Sequence, residues 1–232
     1  GGGFAFASEL KAFLAAGLVE KRISPEAVVE YLGYGAVSQP RTILQDVAHL
    51  EPGTALYVSE GGKKLQEHRY WDLAEAVQAY RSDQPAQDYA AHVAQTRELL
   101  EEATRFHLVA DVQVGAFLSG GIDSTAVCAL MQRIADHPVR TFSIGFQEAC
   151  EVTDESSYAK RAADLIGCEH TEVIVGSRDI ASLFEAVVQA LDQPSVDGTN
   201  TYLVSRAASQ EVKVALSGLG GDELFAGYPH FQ

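Results

Sequence analysis

Cysteine is scarce in this chain: Cys128, Cys150 and Cys168 are all it has, and they form no CxxC pair. That excludes a zinc cage built on such pairs and a disulfide framework, and points to reduced thiols. Positive charge is also short. Lys and Arg number 17 against 32 Asp and Glu, for a formal net charge of −15, and such a surface repels nucleic acid and anionic membrane. No stretch offers the roughly eighteen unbroken apolar residues of a membrane span, and no basic segment leads into an apolar one as in an export signal. The histidines, His49, His68, His92, His107, His137, His170 and His230, show neither HxH nor HxxxH spacing, so no transition-metal site is expected of them. These absences leave a cytoplasmic protein with small-molecule partners as the expectation.

What is present is ample apolar material, 47% of 232 residues, enough for one large domain or two small ones. The chain opens on Gly1-Gly2-Gly3 and closes on Phe231-Gln232, and is expected to be a piece of a longer protein. From residue 111 onward, strand-like runs at 112–118, 139–146, 171–175 and 212–216 alternate with helical periodicity at 124–135, 154–166, 179–191 and 198–210. Such alternation predicts an α/β fold, a parallel sheet with helices on both faces, with ligand bound at the carboxyl ends of strands where the strand order reverses. Tyr89, Val93, Leu99, Leu100 and Phe106 form the apolar stripe of an amphipathic helix over 86–107. Arg81-Ser82-Asp83-Gln84-Pro85 has no apolar residue and carries a proline, so a linker is expected at 81–88. Upstream, helices are expected over 8–16 and 25–32 and a strand over 55–59 that runs into a hairpin turn at Glu60-Gly61-Gly62-Lys63. Alone, those residues would make a thin core, and they are expected to complete a larger domain.

Val112-Gln113-Val114-Gly115-Ala116-Phe117-Leu118 is an apolar strand that runs into Ser119-Gly120-Gly121-Ile122-Asp123-Ser124. Gly120 and Gly121 permit a tight turn and a close backbone approach, and a helix opening near Ser124 directs free N–H groups and its positive dipole end at the loop. Ser119 and Ser124 add hydroxyl donors. Asp123 would repel a bare phosphate, but a carboxylate beside phosphates is how magnesium is held. No lysine follows the glycines, which disfavours a γ-phosphate-transferring NTPase. The alternative is an ordinary glycine-rich strand-to-helix turn. A second strand, Val212-Lys213-Val214-Ala215-Leu216, leads into Ser217-Gly218-Leu219-Gly220-Gly221-Asp222-Glu223. If the two strands are neighbours, Asp123 and Asp222 can share magnesium while backbone N–H groups hold phosphates. The alternative is that Asp222 or Glu223 opens the next helix as a favourable N-terminal charge. Cys128 falls inside the helix after the first loop and reads as a small buried hydrophobe rather than a nucleophile.

The first loop resembles the SGGxDS loop of pyrophosphatase-type ATP enzymes, which split ATP into AMP and pyrophosphate. The two loops in this order resemble the synthetase domain of glutamine-dependent asparagine synthetases. Thr141-Phe142-Ser143-Ile144-Gly145-Phe146, Asp154-Glu155 and Asp192-Gln193-Pro194 ahead of Tyr202-Leu203-Val204-Ser205 agree with that family. Phe6-Ala7-Ser8-Glu9-Leu10-Lys11-Ala12, Leu50-Glu51-Pro52-Gly53 and Tyr70-Trp71-Asp72 resemble the closing part of its glutaminase domain. The resemblance implies the C-terminal part of an Ntn-type α+β glutaminase domain at 1–80 and the first part of an adenine nucleotide alpha hydrolase-like (PP-loop) synthetase domain at 89–232. It implies that Leu118 and Ile144 contact adenine largely through backbone and that Ser119, Gly120, Gly121 and Ser124 hold pyrophosphate. Asp123 and Asp222 then hold Mg2+, Ser217 and Gly218 lie near the α-phosphate, and Asp123, Asp222 and Glu223 are the catalytic candidates. The implied substrates are ATP, aspartate and ammonia derived from glutamine. The implied reaction is adenylation of aspartate followed by displacement of AMP by ammonia, with a homodimer as the candidate assembly.

Three features depart from the family pattern. No cysteine precedes Cys128, whereas the family's glutaminase nucleophile is an N-terminal cysteine, so this chain alone is expected not to hydrolyse glutamine. Leu219 stands where many members carry an acidic residue, which keeps a β-lactam or macrolactam synthetase-like enzyme as a second reading. The family's sequence continues past the second loop and there supplies a basic residue near the phosphates. Asp192, Asp197 and Asn200 are candidates either for the amino-acid site or for plain turn chemistry. A non-catalytic nucleotide-binding scaffold is a third reading, and two carboxylates facing a polyanion weigh against it.

Overall fold

A computed structural model describes residues 3–83, 88–147 and 156–228. Gln84 and Pro85 of the expected linker, together with Cys150, Asp154, Glu155 and His230, lie outside them. The chain divides into two units, Gly1–Gln87 with Ala186–Gly198, and Asp88–Glu185 with Thr199–Gln232.

The first unit carries α1 (Leu10–Ala15), α2 (Pro25–Tyr34), β1 (Thr54–Ser59), β2 (Lys64–Arg69) and α3 (Leu73–Asp83). Helix α2 begins as the sequence predicts: the Ser24 hydroxyl accepts from the Ala27 amide at 3.3 Å, and Pro25 occupies the first turn, where its missing N–H costs nothing. Strands β1 and β2 pair antiparallel from Thr54↔Arg69 to Ser59↔Lys64, as the expected hairpin turn requires. Helix α3 was not among the predicted elements. Its signal was present, since Leu73, Val77 and Tyr80 recur at helical spacing and Asp72 caps the first turn by accepting from the Ala74 and Glu75 amides at 2.9 and 3.2 Å. Those amides and the Arg69 guanidinium hold the Asp72 carboxyl below its ordinary range.

The second unit carries α4 (Tyr89–His107), β3 (Val114–Phe117), α5 (Ile122–Ile134), β4 (Arg140–Phe146), α6 (Ser156–Ile166), β5 (Glu169–Val175), β6 (Val214–Leu216) and α9 (Gly221–Phe225). Helices α7 (Ser177–Ala190) and α8 (Gly198–Ala208) lie between β5 and β6 in the chain. The four strands form one parallel sheet in the order β5-β4-β3-β6. On one face Val114, Ala116 and Leu118 pack with Cys128 and Met131 of α5 and Ala159 and Ala163 of α6. On the other, Phe142 packs with Val204 and Ala208 of α8 and with Val212. The central strand β3 is covered on both faces, which is why Val114–Phe117 reads as a continuous apolar run rather than an alternating one, whereas the edge strand β5 carries Glu169, His170 and Glu172 and is exposed or half-buried along most of its length. Two buried hydroxyls on β4 are satisfied across the sheet by one ring: Thr141 Oγ1 lies 2.9 Å from His170 Nδ1 and Ser143 Oγ 3.1 Å from His170 Nε2.

The order of the strands places the site. The chain steps outward from β3 to β4 to β5 and then returns to lay β6 against the opposite edge of β3. Strand order therefore reverses between β3 and β6, and in sheets of this kind ligands bind at the carboxyl ends of the strands beside such a reversal. Among the described residues no helix is long and apolar enough to cross a membrane.

Candidate active site

A glycine loop leaves the carboxyl end of each of these two strands, one running from β3 into α5 and the other from β6 into α9. Helix α5 opens at Ile122 with Gly121 as its cap, two residues before the predicted start, so Asp123 sits in the first turn. The serines of the first loop organise it from within. Ser124 Oγ accepts from the Ser119 amide at 3.2 Å and lies 2.9 Å from Ser119 Oγ, while Ser119 Oγ accepts from the Gly121 amide at 3.3 Å. Gly120 stands at φ +83°, and a Cβ there would lie 2.7 Å from the Ala159 amide nitrogen and 2.8 Å from the Tyr158 carbonyl carbon. The loop thus rests directly on the backbone of α6.

The second loop closes on the first. A Cβ on Gly218 would lie 2.6 Å from the Ser124 amide nitrogen, and one on Gly221 would collide with the Asp123 carboxylate. Asp123 is half-buried at this junction, and among the described residues its carboxylate has neither an ion-pair nor a hydrogen-bond partner. Asp222, also half-buried, sits in the first turn of α9 with Oδ1 against Gly227. Ser217 Oγ accepts from the Leu219 amide at 3.1 Å, which turns the loop, and the Leu219 side chain is 79% exposed.

The remaining predicted positions are distributed unevenly. Leu118 is 1% exposed, and its amide donates to the Phe142 carbonyl at 2.9 Å, which ties the end of β3 to β4. Ile144 lies within β4 opposite Val173, half-buried. Glu223 is exposed, and its Oε1 accepts from the Tyr228 phenol at 2.9 Å, the most bland position among the candidates. Asp192 groups with the first unit, and its carboxylate accepts from the Leu10 and Lys11 amides. The Asp197 amide donates to Ser195 Oγ at 3.2 Å, which is turn chemistry. Gly221 was not singled out from sequence although it lies against Asp123; its only signal was the repeated glycine spacing of the second loop. Among the described residues no three of His, Cys, Asp and Glu gather as a metal-holding group.

Cys128 is fully buried beneath the first loop, and burial, aided by the neighbouring Cys168, pushes its thiol up to about 12. A thiol held so far above neutrality is not a nucleophile at pH 7. The folded value lies above the ordinary one of 9.0, so the stability tied to the neutral thiol is complete below pH 9 and is lost as pH rises toward about 12. Urea melts at rising alkaline pH should show this loss in the wild type and a flatter profile in Cys128→Ala; parallel profiles would refute it.

A family profile described as asparagine synthase matches residues 95–232. A second, described as glutamine amidotransferase domain, matches residues 1–71. The chain is similar to a glutamine-hydrolyzing asparagine synthetase 3 of Bacillus subtilis, 29% identical over 100% of this chain and 39% of the relative. It is also similar to the glutamine-hydrolyzing asparagine synthetase 1 of the same organism, 30% identical over 96% of this chain and 34% of that relative. The chain thus spans little more than a third of the length of these relatives. An NH3-dependent NAD synthetase from Campylobacter jejuni is similar in structure over 62% of each chain, with 18% identity and a TM-score of 0.39.

Proposed function

This chain belongs to the asparagine synthase family, and on that premise we propose that its two glycine loops form the ATP site of a ligase that makes asparagine from aspartate and ammonia. One observation carries the reading: Gly218 is seated on the Ser124 amide while Asp123, without a partner among the described residues, lies against Gly221 between the loops. A carboxylate that no group among the described residues neutralises, set beside a glycine loop in the first turn of a helix, is available to a cation. Magnesium requires only one or two protein carboxylates beside substrate phosphates, so Asp123 and Asp222 fit it without a third ligand. When bound there, the ion supplies charge neutralisation for departing pyrophosphate.

In the proposed reaction a side-chain carboxylate oxygen of aspartate attacks the α-phosphorus of ATP, forming aspartyl-AMP as pyrophosphate leaves. Ammonia then attacks the activated acyl carbon, and AMP departs with the carboxylate oxygen that had bonded to phosphorus. The chain's own work is positioning and electrostatics. Gly120 and Gly121 bring backbone close to the β- and γ-phosphates at the opening of α5, Ser119 and Ser124 offer hydroxyls, and Ser217 and Gly218 border the α-phosphate. Leu118 and Ile144 flank adenine. The N-terminal unit is the closing part of the domain that releases ammonia from glutamine in the whole protein. The net charge of −15 and the free thiols of Cys128 and Cys168 support small-molecule partners and a cytoplasmic setting, with a homodimer as the assembly to test.

Leu219 favours a second reading in which the acceptor is a different carboxylic acid, because an exposed apolar side chain stands on the rim of the second loop. Pyrophosphate release by the full-length parent protein with ATP, Mg2+ and ammonium separates the two. Release that depends on aspartate supports asparagine synthesis, release only with another acid supports an alternative amide synthetase, and no release with any acid refutes both.

A further inference from the structure

The end of α7, the link that follows it and the first residue of α8, Ala186–Gly198, group with the N-terminal unit. Its polar contacts there are specific. The Leu10 amide donates to Asp192 Oδ2 at 2.6 Å and the Lys11 amide to Oδ1 at 3.2 Å, across 182 and 181 residues of sequence. Lys11 Nζ donates to the Ala190 carbonyl at 3.4 Å. Gln193 Oε1 accepts from the Ile43 amide at 2.9 Å while its Nε2 lies 3.1 Å from His49 Nε2. The Val196 amide donates to the Gly35 carbonyl at 3.0 Å.

The first amides of a helix have no partner within it, and a side-chain oxygen normally supplied by the preceding residue serves them. In α1 that residue is Glu9, whose side chain makes no capping bond. Leu10 is buried, so water does not substitute readily for the missing cap. Asp192 does so with both oxygens, and a charged acceptor at this end also suits the helix dipole. Gln193 acts in the same way on the 41–49 turn: its oxygen serves Ile43 and its amide nitrogen donates to His49, which fixes His49 as the tautomer protonated on Nδ1.

We propose that Ala186–Gly198 is a clasp, a segment of the synthetase half that completes the fold of the N-terminal unit, with Asp192 as the distant cap of α1 and Gln193 as the staple of the 41–49 turn. The proposal does not rest on the reaction assigned above, and it makes residues 1–87 dependent on chain that follows them by about a hundred residues.

Amide hydrogen exchange on the whole protein tests it. Asp192→Ala is expected to speed exchange at Leu10 and Lys11 by about tenfold, the loss of a charge-assisted hydrogen bond, and Asp192→Asn by less. Gln193→Ala should speed exchange at Ile43 and leave Leu10 and Lys11 as they were, and none of the three should alter Ala116 or Phe142 in the sheet. Unchanged exchange at Leu10 and Lys11 in Asp192→Ala would overturn the clasp, as would equal acceleration in both units. If Asp192 instead binds the amino-acid substrate, Asp192→Asn raises KM for that acid with the Leu10 and Lys11 amides unaffected, and this too would overturn it.

Discussion

Replacing Asp123 by alanine is expected to lower ATP-dependent pyrophosphate release by the parent protein about a hundred- to a thousandfold, the usual loss when one preorganised charge contact is removed. The carboxylate is half-buried in the first turn of α5, against Gly221, and among the described residues it has no partner. Nothing in the fold depends on its charge apart from a favourable interaction with the helix dipole of about 0.3–1 kcal/mol. Activity and stability should therefore separate. Asp123→Ala and Asp123→Asn are both expected to melt close to the wild type while losing turnover, because the asparagine keeps the shape and not the charge. Near-wild-type turnover in either variant would remove Asp123 from the catalytic set.

Gly120→Ala is expected to fail for the opposite reason, through the fold. The residue lies at φ +83°, where an L side chain is strained, and its new Cβ would meet backbone atoms of Tyr158 and Ala159 at 2.7 to 2.8 Å. Helix backbone cannot swing aside as a side chain can. Left-handed strain and overpacking together should cost about 3 kcal/mol, which for a chain of this size lowers Tm by about 6–12 °C. Gly121→Ala is the matched control. Its φ of −69° is ordinary, and the nearest atom to its Cβ is the movable Ser119 hydroxyl at 3.3 Å. Thermal melts of the two variants should differ widely, and equal melting temperatures would show that the contact with α6 does not constrain the loop.

Much of the sheet-bearing unit was legible because its signals are local. The runs over 112–118, 139–146, 171–175 and 212–216 each contain or overlap an observed strand, and the intervening helices appear within a few residues of their expected ends. The start of α5 was misplaced by two residues because Gly121, which has no side chain to announce a cap, is the cap. Helix α3 was passed over because the polar, proline-bearing stretch after Tyr80 read as the end of a domain, although Leu73, Val77 and Tyr80 carried the period. Asp192 was read as turn chemistry or an amino-acid ligand; nothing near it in sequence signals that its acceptors are owed to Leu10 and Lys11.

By itself the sequence determined the kinds of element and the chemistry available at their ends. Apolar runs make buried strands, paired glycines make tight loops at the strand ends, and carboxylates follow those glycines at the openings of helices. Tertiary structure alone decided which ends meet. That β6 lies against β3, that Gly218 is seated on Ser124, and that Asp123 faces Gly221 are consequences of strand pairing between residues a hundred positions apart. Backbone hydrogen bonds between strands are the same whatever the side chains, so no local pattern encodes the neighbour; it is selected by burying both faces of the sheet at once.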